Sequence, residues 1–260
     1  DIIIEGGEGD FSYAQIGNGG DSAEGNHTGN ISITKVDGLS LVGGSGAIGY
    51  AQLGNGGASA DGNHSGSINV AEAALVGMIG GDGEQSYAQI GHGGEGADGN
   101  HSGDIGLVSE LAIAVIGGQN REAYAQVGHG GDGADGNHSG DIDITSDFEI
   151  AAVSGTAEEA VAQIGHGGNQ ADGDITGDIT LGTQGNITVL ANDGDTAYAI
   201  IGHGSADFGS VNQSQGTRQG NITAIAGGQV SFEDGTAPAT NFNFGWFGHG
   251  TRTPDASSNA

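Results

Sequence analysis

Apolar residues in this chain recur on two scales. Locally they alternate with polar or small neighbours, the period-two pattern of a half-buried β-strand. Globally the whole alternation returns every 37 residues, from Tyr13 through Tyr50, Tyr87, Tyr124 and Val161 to Tyr198. The stretch from Tyr87 to Ile105 is written again from Tyr124 to Ile142 with changes only where Val127 replaces Ile90 and Asp132 replaces Glu95. Each unit contains three alternating stretches. The first points Ala14/Ile16, Ala51/Leu53, Ala88/Ile90, Ala125/Val127, Ala162/Ile164 and Ala199/Ile201 inward, and its Tyr and Gln outward. The second points Ile31/Ile33, Ile68/Val70, Ile105/Leu107, Ile142/Ile144 and Ile179/Leu181 inward. The third does the same with Ile2/Ile4, Leu39/Leu41, Val76/Met78, Ile113/Val115, Ile150/Ala152 and Ile187/Val189.

A strand that finds its copy one unit later in the same phase pairs with that copy. The pattern therefore predicts an all-β, right-handed parallel β-solenoid (β-helix) with three strands per 37-residue rung and about seven rungs. A helical repeat of similar length is disfavoured, because each interior glycine costs a helix about 1 kcal/mol and glycine is dense in every unit. Residues 1–204 hold the regular repeats. After His203 the register slips: Ile222, Val230/Phe232 and Phe244–Phe247 read as strands that arrive late, so residues 205–250 form irregular terminal rungs with insertions. Residues 251–260 read as a polar tail or linker. Residues 1–4 match the third strand of a unit, which leaves a solenoid edge open and predicts head-to-tail self-association into a filament, or continuation of a longer solenoid.

Composition sharpens this picture. With 57 glycines and 5% aromatics among 260 residues, a thick conventional core is excluded. Asp and Glu number 33 against four Lys and Arg, and the net charge of -29 excludes nucleic acid and anionic membrane as partners while attracting cations. No apolar run approaches the roughly 18 residues of a transmembrane segment. Cysteine is absent, so thiolate metal sites and disulfides are excluded.

The glycine-rich loop between the first two strands repeats with the strands, so its polar residues form columns. One column is acidic: Glu24, Asp61, Asp98, Asp135 and Asp172. Carboxylates stacked about 5 Å apart repel by about 0.8 kcal/mol per neighbouring pair even in bulk water. Calcium suits carboxylate and carbonyl oxygens on an irregular loop, which makes Asp61, Asp98, Asp135 and Asp172 a candidate calcium ladder. The strings GGEGAD at Gly93–Asp98 and GGDGAD at Gly130–Asp135 resemble the opening of the calcium-binding GGxGxD nonapeptide of RTX proteins, although here the motif occurs once per unit rather than in tandem. A second column runs Asn18, Asn55, His92, His129, His166, His203, His249, and a third runs His27, His64, His101, His138. Zinc or nickel would need imidazole lone pairs, whereas stacked rings hydrogen-bonded to backbone need none. Asn26, Asn63, Asn100 and Asn137 each open an N-x-[ST] glycosylation sequon.

GDITLGTQGNITVLA (Gly177–Ala191) and GNISIT (Gly29–Thr34) resemble the strand repeats of filamentous-haemagglutinin-type exoproteins and other large bacterial surface adhesins. That resemblance implies a structural or adhesive segment of a secreted, extracellular or cell-surface protein, with surface or matrix glycans as partners. Repetition favours this over an enzyme, since catalysis needs one exceptional place. A polysaccharide-degrading enzyme would have to use the irregular stretch, with Asp207, Arg218, Glu233 and Asp234. An ice- or mineral-binding face would use the outward Tyr and Gln column.

Overall fold

The computed structural model describes residues 1–204, 216–235 and 243–250. It is a parallel β-solenoid of about five turns with no helix among the described residues. Every strand pairs in parallel with its copy one turn away: Tyr87 meets Tyr124, Ile105 meets Ile142, and Ile113 meets Ile150. The expected assignment of inward residues holds beyond the first turn, where Ile16 is exposed. Ala88, Ile90, Ile105, Leu107, Ile113 and Val115 are all fully buried in one continuous core, which also contains their counterparts on neighbouring turns.

Three expectations need correction. The regular array spans about five turns, fewer than seven. The turns do not each contain three strands. The second and third stretches belong to one sheet, and at Ile68–Ile79 and Ile105–Ile116 they fuse into single 12-residue strands. No Gly or Pro separates them there, so the chain passes the corner by an irregularity between Leu107 and Ala112 rather than by a turn. A further strand of only two residues, His–Ser at His64–Ser65, His101–Ser102 and His138–Ser139, builds a sheet of its own.

The third correction concerns the Tyr and Gln side chains. They do alternate away from the Ala/Ile core, but they are not exposed: Tyr50, Tyr87, Gln52 and Gln89 have no accessible surface. The glycine-rich loop folds back across the outer face of their sheet and creates a second core, where Tyr50, Tyr87 and Tyr124 stack at 4.7–4.9 Å with nearly parallel rings. Each Gln runs a ladder beside them. Gln52 Nε2 donates to Gln89 Oε1 at 3.1 Å and to the carbonyls of Gly91 and Gly93 at 3.2 and 2.6 Å. Buried amides are tolerated because both ends are hydrogen-bonded.

This fold-back explains the glycines. A methyl group on Gly94, whose φ is +153°, would collide with the Tyr87 hydroxyl and come within 2.7 Å of the Gly57 carbonyl. The loop is pressed on one side by the ring beneath it and on another by the same loop one turn earlier, and only a residue without Cβ fits.

The late strands pair as the sequence indicates. Ile222 aligns with Ile179, Val230 with Ile187, and Phe244 with Tyr198, on which its ring stacks at 5.3 Å. Asp207, Phe242 and the 251–260 tail lie outside the described residues.

Candidate functional site

The loop columns can be compared with the chemistry expected of them. Loop backbones bond from turn to turn much as strands do: Gly62 N–H donates to the Asp98 carbonyl at 2.8 Å and His64 N–H to that of Asn100 at 3.0 Å. The acidic column adds side-chain rungs. Asp61 Oδ1 accepts the backbone N–H of Asp98 at 3.3 Å, Asp98 Oδ1 that of Asp135 at 3.2 Å, and Asp135 Oδ1 that of Asp172 at 3.0 Å. One oxygen of each of these three carboxylates therefore bonds to the next turn. Asp61, Asp98 and Asp135 are exposed and Asp172 is half-buried. The sequon asparagines behave alike, with Asn63 Oδ1 accepting Asn100 N–H at 3.0 Å.

The outer histidine column is bonded to backbone throughout. His166 Nδ1 accepts the His129 backbone N–H at 2.9 Å, and its Nε2 lies 2.9 Å from the Gly140 carbonyl. Since Nδ1 faces a donor, it carries the lone pair, and Nε2 carries the hydrogen and donates. His92, His129 and His203 repeat this arrangement, and neighbouring rings stack at 4.7–4.9 Å. Both nitrogens are committed to backbone and neither is left for a transition metal. Burial pushes His92 down to about 4, and His166 and His203 to about 3. In the first two turns Asn does the same work: Asn55 Oδ1 accepts Asn18 N–H and its Nδ2 donates to the Gly29 and Ser65 carbonyls, all at 3.0 Å. The inner column of His64, His101 and His138 stacks at 5.0–5.1 Å, and burial lowers the pKa of all three.

Arg218 takes the place of an inner-column histidine and donates to the carbonyls of Gly173 and Ala171 at 3.1 and 3.2 Å. Glu233 ends an exposed strand of the large sheet, and Asp234 Oδ1 accepts the Gly245 N–H at 3.0 Å. Arg218 and the Glu233–Asp234 pair lie on different structural elements.

One place on the array is exceptional. Val161 stands where every other regular turn has tyrosine, so the ring stack is interrupted between Tyr124 and Tyr198. The missing ring leaves a hole of about 10 Å³, bordered by Glu122, Tyr124, Asp132, Glu159, Val161 and Asn169. That is room for roughly one water-sized occupant. Two columns border it. One runs Asp21, Ala58, Glu95, Asp132, Asn169, and in the other Glu122 and Glu159 follow Phe11, Ile48 and Gln85.

The electrostatics are correspondingly unusual. Burial holds Asp132 well above the ordinary carboxylate range, and Glu122, Glu95 and Glu159 add to the effect. Glu159 is pushed up to about 7, first by burial and then by Glu122 and Glu158, against the pull of Arg121. Glu95 is raised by burial and by Glu122. Arg121 supplies the local positive charge, bonded to Glu122 at 2.7 Å and to Glu84 at 3.0 Å. Asn169 is 5% exposed, its Nδ2 donates to Glu159 at 3.3 Å, and its buried Oδ1 has no hydrogen-bond donor. The Tyr124 hydroxyl is also buried without a well-formed hydrogen bond, with the Asp132 backbone N–H turned toward it. Among the described residues, no three His, Asp or Glu side chains already stand grouped as metal ligands.

Sequence reasoning passed over this place, although its signal was in the text: a valine in the tyrosine column, beside a column in which Glu122 and Glu159 replace Ile48 and Gln85. Comparison with protein-family models, with curated proteins and with solved structures finds no match to this chain.

Proposed function

We propose that this chain is a structural, adhesive segment of a secreted or cell-surface repeat protein, a non-catalytic rod that presents the same acidic loop surface at every turn. The observation that carries this reading is the identity of successive turns. Tyr50, Tyr87 and Tyr124, the Gln ladder and the Asp61–Asp98–Asp135 ladder repeat the same contacts at one-turn spacing. Such a surface suits multivalent attachment to surface or matrix glycans, where weak contacts gain through repetition. A right-handed winding completes the expected rod.

End-on association through the first turn, where Ile3, Phe11 and Tyr13 are 69, 52 and 46% exposed, is part of this proposal. The ice- or mineral-binding alternative loses its support, because the Tyr and Gln column it needs is buried.

The test is analytical ultracentrifugation of the 260-residue chain over a wide concentration range, with electron microscopy of the same samples. Rods that lengthen with concentration, and stop doing so in Ile3→Lys, are expected. A monomer at every concentration that also ignores a panel of matrix glycans would defeat the proposal.

A further inference from the structure

The surroundings of the hole beneath Tyr124 contain more acceptors than donors. Asp132, Glu122 and Glu159 supply carboxylate oxygens, and Asn169 Oδ1 faces the same space with no donor. Apart from the Tyr124 hydroxyl, a single O–H against several acceptor oxygens, the nearby side-chain donors are already used. Asn169 Nδ2 is taken by Glu159, Gln163 Nε2 by the carbonyls of Gly204 and His166 at 2.9 and 3.1 Å, and Arg121 by Glu122 and Glu84. A water molecule brings only two hydrogens to such a place. A cation accepts lone pairs from several oxygens at once, and all-oxygen surroundings select a hard ion of the calcium class over a thiophilic or imidazole-seeking metal. The hole is of single-ion size, and the chain's net charge of -29 raises the local cation concentration.

We infer that the interruption of the tyrosine stack at Val161 is a binding site for one small hard cation, held by Asp132, Glu159, Glu122 and the Asn169 side-chain oxygen. The site is separate from the Asp61, Asp98, Asp135 and Asp172 column. Asp132 is nearly enclosed and provides the fixed ligand. Glu122 and Glu159 lie on the rim, half or more buried, and reach the ion by a rotamer change. This requirement explains why the ligands are not grouped beforehand.

Terbium, which takes calcium's ligands and is excited through nearby tyrosine, tests this on the intact chain at physiological ionic strength. The expected result is saturable tyrosine-sensitised emission that calcium displaces. Affinity should fall by about tenfold or more, a loss of about 1.4 kcal/mol, in Asp132→Asn and in Asn169→Leu, and stay unchanged in Asp98→Asn. Val161→Tyr keeps every ligand and refills the space, and should abolish the emission while circular dichroism reports the native fold. If the Asp132 or Asn169 variant fails to fold, Val161→Tyr and Glu159→Gln decide the matter. Three results would overturn the inference: emission weakened as much by Asp98→Asn as by Asp132→Asn, emission that persists in Val161→Tyr, or no saturable emission from the parent chain.

Discussion

Acidification should unfold this protein through its histidine column, and the size of the effect follows from the geometry. His92, His166 and His203 each accept a backbone N–H at Nδ1, so a second ring proton would point at a donor. Their folded pKa values lie at about 4, 3 and 3, below the unfolded value of about 6.5. A group depressed in this way is neutral in both states above pH 6.5. As pH falls below that, the unfolded chain takes up protons that the folded chain refuses, and stability drops by about 1.4 kcal/mol per pH unit per group until the folded pKa is reached. At pH 5 this is about 2 kcal/mol for each, or about 6 for the three, against the 5–15 kcal/mol that typically holds a domain together. Glu159 and Asp132 tilt the other way. Their raised pKa values favour the folded state as pH falls toward the unfolded carboxylate range, so the loss at pH 5 is smaller than the histidines alone imply. The decisive perturbation is His166→Asn, since Asn55 already performs this role in the same column. At pH 7.5 the variant should lose about 1–2 kcal/mol of stacking and packing. Between pH 6.5 and 5 it should lose about 2 kcal/mol less than the parent. Urea unfolding followed by circular dichroism at several pH values measures both quantities. Equal pH slopes for parent and variant would refute the assignment of a neutral, backbone-bound ring.

Three further outcomes are expected. Gly94→Ala should destabilise by at least about 2–3 kcal/mol in urea unfolding, because its methyl group meets the Tyr87 hydroxyl and the Gly57 backbone. Tyr87→Phe should be neutral or stabilising by up to about 1 kcal/mol, since the hydroxyl it removes is buried without a well-formed hydrogen bond; the melting temperature reads this directly. Asp98→Asn keeps the oxygen that accepts Asp135 N–H and removes a like charge, so it should raise the melting temperature at low ionic strength. The gain of about 1 kcal/mol should fade with salt, or with calcium if calcium screens this column in the parent.

The apolar alternation was legible in the sequence because burial on one face of a strand leaves a period of two, and Ala88/Ile90 or Ile113/Val115 can face only one core. The opposite face was misread for a physical reason. Tyr and Gln alternate with that core and look like a solvated surface, and only the tertiary path of the loop shows that a second layer covers them. The His101–Ser102 strand is too short to have any period. The fused Ile105–Ile116 strand was divided because two apolar phases were taken for two elements, when one irregularity joins them. The interruption at Val161 was legible as a break in a column, but its meaning depended on knowing that the column is a ring stack with the acids of neighbouring columns packed against it.

The central claim is that the glycine-rich loop is an ordered layer, bonded turn to turn and closed over the tyrosines. Residue-resolved amide hydrogen exchange tests it most directly. Gly62, His64, Gly99 and His101 donate to the next turn at 2.7–3.0 Å, so their amides should exchange as slowly as those of the Tyr87–Ile90 strand beneath them. Loop amides that exchange at the rate of an open chain while the strands stay protected would contradict the account.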